Sequence, residues 1–325
     1  FCIGTNQLAL DDLARAGVAA FNAPFSNTRS VVELVISEII ALARRLGDRN
    51  TQMHHGVWRK SAIGSHEVRG RTLGIVGYGN IGAQVSVLAE ALGLSVMYYD
   101  VADKLPMGNA HRCDSLEELL QSVDVVTVHV DGRADNTLLF GEQEFSMMRP
   151  RSLFLNLSRG HVVDVAALAD NLRTGHLAGS AVDVYPSEPR SGDEPFVSEL
   201  QSLDNVILTP HVGGSTQEAQ IDIGRYVAGK LIDYSERAST SMSVNLPDIT
   251  TGATPGARIG HLHLNMPGIM ADLNRLVADH GGNVTYQALA TRGELGYTVL
   301  DIDETDRELL VDVTRLEGTI RARVL

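Results

Sequence analysis

Between Arg71 and Pro210 the chain alternates short apolar runs with stretches of helical spacing. The strand-like runs are Thr72–Val76, Ser95–Tyr99, Asp124–Val130, Ser152–Leu157, Gly179–Val184 and Asn205–Leu208. Helical patterns separate most of them, at Ile81–Leu92 and Leu116–Gln121 for example. Asp164 is placed to cap a further helix running to Thr174, with Gly175 as its stop. Strands that run parallel need a crossover between them, usually a helix. The alternation therefore predicts an α/β fold with a mostly parallel, doubly wound sheet.

The flanks predict more than one domain, as a length of 325 residues also does. Residues 28–46 read as one helix: Val31, Leu34, Val35, Ile39 and Leu42 share a face, and Ser30/Glu33 has capping-box spacing. A second helical stretch runs from Gly213 to Tyr234. Two helices bracketing the sheet domain (27–213) suggest a second domain built from residues 1–26 and 214–240. Ser239 to Gly256 is rich in Ser, Thr, Gly and Pro, so residues 241–256 read as a linker. The remaining segment, 257–325, reads as strand (Arg258–Leu264), helix (Pro267–Asp279), strands (Val284–Thr291, Tyr297–Ile302), helix (Glu304–Leu316) and strand (Thr319–Val324). That βαββαβ order is ferredoxin-like. At the other end, Phe1-Cys2-Ile3-Gly4 reads as the tail of a buried strand, and residues are expected upstream of it.

A net charge of -13 excludes a general nucleic-acid or anionic-membrane surface but leaves room for an anionic substrate held by a few arginines. Cys2 and Cys113 are too few and too far apart for a disulfide framework, which points to a reducing, cytoplasmic setting. The most apolar early stretch, Val31 to Leu42, is broken by Glu33, Ser37 and Glu38. No run reaches the ~20 apolar residues of a membrane span.

Gly77-Tyr78-Gly79-Asn80-Ile81-Gly82 is G-x-G-x-x-G, set after a strand and opening a helix. Such glycines permit a tight turn, close backbone approach to a pyrophosphate and close helix packing, with the helix N-terminus supplying N–H donors. Asp100 lies 18 residues after Gly82, where an acidic group takes ribose hydroxyls and repels a 2′-phosphate. The cofactor predicted is NAD.

Three strand ends present one chemically versatile side chain each: Arg159 in Asn-Leu-Ser-Arg-Gly, Glu188 in Asp-Val-Tyr-Pro-Ser-Glu-Pro, and His211 in Thr-Pro-His-Val-Gly-Gly-Ser-Thr. Hydride transfer from a hydroxyl-bearing carbon needs a proton acceptor, and His is the usual one near neutral pH. A carboxylate beside it stabilises the imidazolium, and an Arg fork matches a substrate carboxylate. Singly, Arg159 also reads as an ion-pair residue, Glu188 as a loop residue and His211 as a helix cap. Together, beside a dinucleotide motif, they read as an acid/base site.

These four motifs resemble the D-isomer-specific 2-hydroxyacid dehydrogenases over nearly the whole chain. The resemblance assigns His211 as acid/base, Glu188 as its partner and Arg159 as substrate clamp. It implies NAD contacts at Gly77, Gly79, Asn80, Ile81, Gly82, Asp100, Leu157, Ser158, Arg159, Asp183, His211, Gly213 and Gly214. The segment Asn22 to Val31 resembles a hinge, with Asn27 near the substrate. The implied reaction is NAD-dependent oxidation of 3-phospho-D-glycerate to 3-phosphohydroxypyruvate by a tetramer; glycerate or lactate dehydrogenation, or NAD-sensing without catalysis, are the alternatives. Asp131 departs from the pattern by standing where a proline is usual, and is expected to alter the loop beside the cofactor. The family carries roughly 80 further residues upstream, which complete the substrate pocket and bind its phosphate.

His261 to Ile269 and Gly281 to Val284 resemble an ACT regulatory domain. That resemblance implies a serine site between paired domains, with His263, Asn265 and Asn283 as ligands. His54-His55 lacks further ligands at suitable spacing, so no metal is expected. Trp58 reads as a packing or subunit-interface residue.

Overall fold

The computed structural model describes residues 4–5, 8–189, 191–253, 256–303 and 307–325. The strand tail expected at Phe1–Gly4 falls largely on residues 1–3, outside the described residues, as does Cys2. The chain forms two compact units, Asn27–Ala219 and Phe1–Ser26 with Gln220–Leu325.

The first unit carries a seven-stranded sheet: β1 (Thr72–Val76), β2 (Ser95–Tyr99), β3 (His111–Arg112), β4 (Val125–Val128), β5 (Ser152–Asn156), β6 (Leu177–Val182) and β7 (Val206–Leu208). Their order across the sheet is β3-β2-β1-β4-β5-β6-β7, and every pair is parallel. The two-residue edge strand β3 has no apolar run to announce it. The order reverses between β1 and β4, the switch point where such sheets bind ligands.

Helices cover both faces, because β4 and β5 are buried along their whole length. On one face Val32, Val35 and Ile39 of helix Thr28–Arg44 and Val85 of helix Asn80–Ala91 pack with Ile75 and Leu155. On the other, Leu119, Phe145 and Leu168 from three helices meet Val126 and Phe154. Phe145 stands edge-on to Phe154 at 5.1 Å. The cap expected at Asp164 is formed: its Oδ1 accepts from the N–H of Ala166 and Ala167.

Two helix starts differ from the sequence reading. Helix Thr28–Arg44 opens at Asn27 without the Ser30/Glu33 box. Ser30 Oγ instead shares a hydrogen bond with Thr216 Oγ1 at 2.7 Å, and Glu33 accepts from Arg29 at 2.6 Å. The helix expected from Gly213 begins at Gln217, because the Gly213 N–H is drawn to Asp183 and Thr216 Oγ1 takes the N–H of Ala219.

In the second unit, β8 (Ala257–Leu264), β9 (Val284–Arg292), β10 (Leu295–Ile302) and β11 (Thr319–Val324) form an antiparallel sheet in the order β11-β8-β10-β9. Helices Ile269–Asp279 and Arg307–Arg315 complete the ferredoxin-like unit. Residues 304–306, where the second helix was expected to begin, lie outside the described residues. Leu273, Val277, Leu309 and Val313 fill one face of the sheet with Ile259, Leu300 and Ile302.

The opposite face shows why the presumed linker is not loose chain. Leu246 and Ile249 pack with Ala14, Ala238, Leu262, Tyr297 and Val299. Thr240 and Ser243 are buried with their hydroxyls bonded to Pro247 and Ala20 carbonyls, and Asn245 Oδ1 accepts from the Ala20 N–H. Polar composition reads as a linker, yet here the polar groups satisfy buried backbone.

The buried pair Arg258–Asp301 ties this unit together. Two bonds of 2.6 and 2.7 Å join the guanidinium to the carboxylate, and Nη1 also donates to the Arg237 and Gly252 carbonyls. Asp301→Ala strands that guanidinium and should cost about 3–5 kcal/mol, read as an earlier urea transition. Arg258→Met with Asp301→Leu should recover most of the loss.

Candidate active site and cofactor cradle

In an all-parallel sheet every strand ends on the same edge, so residues from distant motifs gather there. The Gly loop leaves β1, Asp100 follows β2, Leu157 to Arg159 follow β5, Asp183 follows β6 and His211 follows β7.

The cofactor cradle has the form its glycines predict. Gly77 adopts φ 92°, and a Cβ there would lie 2.7 Å from the His129 carbonyl oxygen. A Cβ on Gly82 would fall on the Gly77 carbonyl. Gly79, by contrast, has open space where its Cβ would stand. That opening sits at the N-terminus of helix Asn80–Ala91, with Asn80 and Ile81 in its first turn, and fits a pyrophosphate. Asp100 Oδ2 accepts the Tyr78 N–H at 2.8 Å and Oδ1 accepts from Ala102. A carboxylate with two such bonds keeps lone pairs for ribose hydroxyls.

The catalytic candidates rest on a shared scaffold. Asp183 is 1% exposed and accepts three bonds: Oδ1 from Thr209 Oγ1 at 2.6 Å and Val212 N at 2.8 Å, Oδ2 from Gly213 N at 2.8 Å. It therefore pins the loop that carries His211. His211 adopts φ 56°, a conformation uncommon outside glycine, and its Nδ1 lies 2.8 Å from Glu188 Oε2. Glu188 Oε1 accepts the Tyr185 N–H, so the carboxylate is oriented from behind. The one proton of the Tyr185 hydroxyl is shared between the Val182 and Thr209 carbonyls, linking the same two loops.

Arg159 enters through Gly160. A Cβ on Gly160 would overlap the Tyr185 carbonyl, so only glycine lets this turn back onto the Glu188 loop. Asn156 Nδ2 donates to the Arg159 carbonyl, and Asn156 Oδ1 takes both the N–H and hydroxyl of Ser158. Leu157 and Ser158 are buried, while Arg159 is partly exposed with Nη1 donating to the Ser158 carbonyl at 2.6 Å. Asn27 heads helix Thr28–Arg44 with its carboxamide packed on Gly214. Asp131 pairs with Arg133 at 2.6 Å and accepts from Asn136 Nδ2; the Arg133 guanidinium holds its carboxyl below the usual range.

The second unit keeps the effector candidates apart. His263 is 1% exposed, with Nδ1 on the Leu264 carbonyl and Nε2 on Thr298 Oγ1, and burial pushes its imidazole pKa down. Asn265 follows the end of β8 and is exposed. Asn283 precedes β9, whose first residue pairs with Ile302 at the Ala257 end of the sheet. Asn265 and Asn283 therefore stand a strand length apart, roughly 25 Å for eight residues. One chain does not bring all three onto a single small ligand.

Residues 36–213 match the family model "D-isomer specific 2-hydroxyacid dehydrogenase, NAD binding domain". The chain belongs to that family of NAD-dependent oxidoreductases, and its cofactor is NAD. Residues 259–321 match an AHAS small subunit-like ACT domain. Among its relatives, the D-3-phosphoglycerate dehydrogenase of Escherichia coli strain K12 is 49% identical, across 100% of this chain and 80% of that protein. The D-3-phosphoglycerate dehydrogenase of Dictyostelium discoideum is 47% identical, again across 100% and 80%. A solved D-2-hydroxyisocaproate dehydrogenase superposes with a TM-score of 0.69 at 26% identity, covering 75% of this chain and 77% of that one. Among the described residues no helix is long and apolar enough to cross a membrane.

Sequence reasoning missed Glu38. It breaks an apolar stretch, but nothing in the pattern says that it faces inward. It is 3% exposed, and neither carboxyl oxygen has a hydrogen-bond partner among the described residues. Burial, helped by the charge of Asp183, pushes its pKa up to about 8. The folded state thus holds a proton that the unfolded chain releases above about pH 4.5. Stability should fall as pH rises from there to about 8 and level off beyond. Glu38→Gln should match the parent near pH 4 and exceed it at pH 8.5 by up to a few kcal/mol, measured by denaturant titration at each pH.

Proposed function

We propose that this enzyme oxidises 3-phospho-D-glycerate to 3-phosphohydroxypyruvate, the entry step of serine synthesis, and is inhibited by serine. The observation that carries the reaction type is the 2.8 Å contact of His211 Nδ1 with Glu188 on the edge that also bears the glycine cradle. The substrate is supported by the two relatives named for it, each aligned with the whole chain.

The chemistry follows from the residues. Glu188 accepts the Nδ1–H of neutral His211, which leaves the Nε2 lone pair for the substrate 2-hydroxyl. His211 takes that proton as the C2–H bond breaks, and Glu188 steadies the resulting imidazolium. Bound NAD supplies the hydride acceptor. The Arg159 guanidinium clamps the substrate carboxylate, and Asn27 borders the same pocket. Asn80, Ile81, Gly213 and Gly214 line the cofactor path, with Asp100 on the ribose. Asp183 serves this site by holding the His211 loop.

Serine control belongs to the same proposal. The separation of Asn265 from Asn283 fits a site completed by a second copy, with His263 supporting the end near Asn265. Exposed Met53, Trp58 and Ile63, at 52, 79 and 81%, suit further association, so a cytoplasmic tetramer is the assembly we propose.

His211→Gln should lower kcat by about 10²–10⁴ while changing NADH affinity far less in a fluorescence titration. A variant that turns over at the parent rate would remove His211 from the mechanism. Separately, isothermal titration with millimolar serine should give saturable heat that Asn265→Ala and Asn283→Ala each abolish. No heat would end the serine proposal.

A further inference from the structure

The opposite edge of the seven-stranded sheet holds a cavity of about 550 Å³. It lies at the amino ends of the strands: Arg71 precedes β1, Asp124 precedes β4, Arg149 and Arg151 precede β5, and Asn205 precedes β7. Arg45, just past helix Thr28–Arg44, and His66 also line it. In a chain of net charge -13, four guanidiniums and an imidazole face one acidic lining residue, Asp124.

Asp124 is itself committed. Its Oδ2 accepts the Thr72 N–H at 2.9 Å, and Oδ1 meets Arg149 at 3.4 Å. Arg45 pairs with Asp48. Arg71 donates to the Glu67 carbonyl and Arg151 to that of Gly175, and neither has a carboxylate partner among the described residues. Arg151 sits at φ 69° in the loop before β5, and one further observation points to a ligand. Ser152 lines the cavity, is 2% exposed, and its hydroxyl has no hydrogen-bond partner among the described residues.

We propose that this cavity binds a small organic oxyanion carrying two or more negative charges on phosphate or carboxylate groups. Arg71, Arg149 and Arg151 would present their forks to it, and Ser152 Oγ would donate to an oxygen that reaches the cavity floor. The volume suits a metabolite-sized ligand. The site is distinct from the catalytic one because the strands run between the two edges.

The test is isothermal titration of the whole chain at low salt, with inorganic pyrophosphate and, separately, propane-1,2,3-tricarboxylate. At least one should bind saturably, and the affinity should fall with added NaCl. Pyrophosphate alone would identify a phosphate-bearing ligand, and the tricarboxylate alone a polycarboxylate; binding of both supports selection by charge. Arg151→Gly removes a guanidinium at a backbone angle glycine accepts freely, so its melting temperature should not fall. Combined with Arg71→Gln, it should weaken binding at least about tenfold, with NADH affinity unchanged. Absence of saturable binding, equal binding in the double variant, or displacement by NADH would each overturn the proposal and leave Arg71 and Arg151 as partners of loop carbonyls.

Discussion

The carboxylate of Asp183 is the constraint on which the site depends. It leaves β6 already buried, and its three bonds bring Thr209, Val212 and Gly213 to one point. The only residues between the first and second of these anchors are Pro210 and His211. With both flanks fixed, the backbone of His211 has little choice, and its left-handed φ follows from the span. The imidazole then meets Glu188, whose own loop is tied back through Tyr185 to Thr209. Four polar side chains, those of Asp183, Thr209, Tyr185 and Glu188, thus spend their bonds on geometry, so that the fifth, His211, is offered to chemistry.

Glu38 makes that arrangement electrostatically conditional. Two buried carboxyl groups within reach of each other do not both carry charge cheaply. Glu38 has no donor among the described residues, and burial, with the charge of Asp183 behind it, pushes its pKa up to about 8. The proton therefore resides on Glu38, and a buried acid remains neutral beneath a loop organised by a charged one. The cost of keeping an unpartnered acid there is borne by a helix that packs across β5, β6 and β7.

The parallel sheet was legible because its central strands, β1, β4, β5 and β6, are buried on both faces and so read as largely apolar runs. The ends of those runs were legible too, since Arg159, Glu188 and His211 are polar residues at fixed offsets from them. What stayed hidden was whatever depends on contacts remote in sequence. Ser30 has the spacing of a cap, yet its hydroxyl goes to Thr216, a choice made by tertiary proximity. The segment around Thr240 to Ile249 has linker composition, yet it covers a sheet face, because serine and threonine hydroxyls serve buried backbone as well as they serve water. Asn283 matched a motif but lies at the far end of its sheet from Asn265, a separation that only strand order reveals. Glu38 looked like any acidic residue on a helix.

The two edges of the sheet divide their work according to what a strand leaves exposed at each end. At the carboxyl edge, loops fold back over the sheet and supply acidic groups, Asp100, Asp183 and Glu188, each holding a backbone N–H. At the amino edge, Asp124 does the same for β1 through Thr72, but the loops there bring arginines. Helices Thr28–Arg44 and Val165–Arg173 end near this edge, with Leu42 and Leu172 lining its cavity, and the negative ends of their dipoles favour cations there. One cation per helix end would offset that charge. Four arginines line the cavity; Asp48 and Asp124 answer Arg45 and Arg149, which leaves Arg71 and Arg151 resting on backbone carbonyls, with no carboxylate among the described residues and open to an anion.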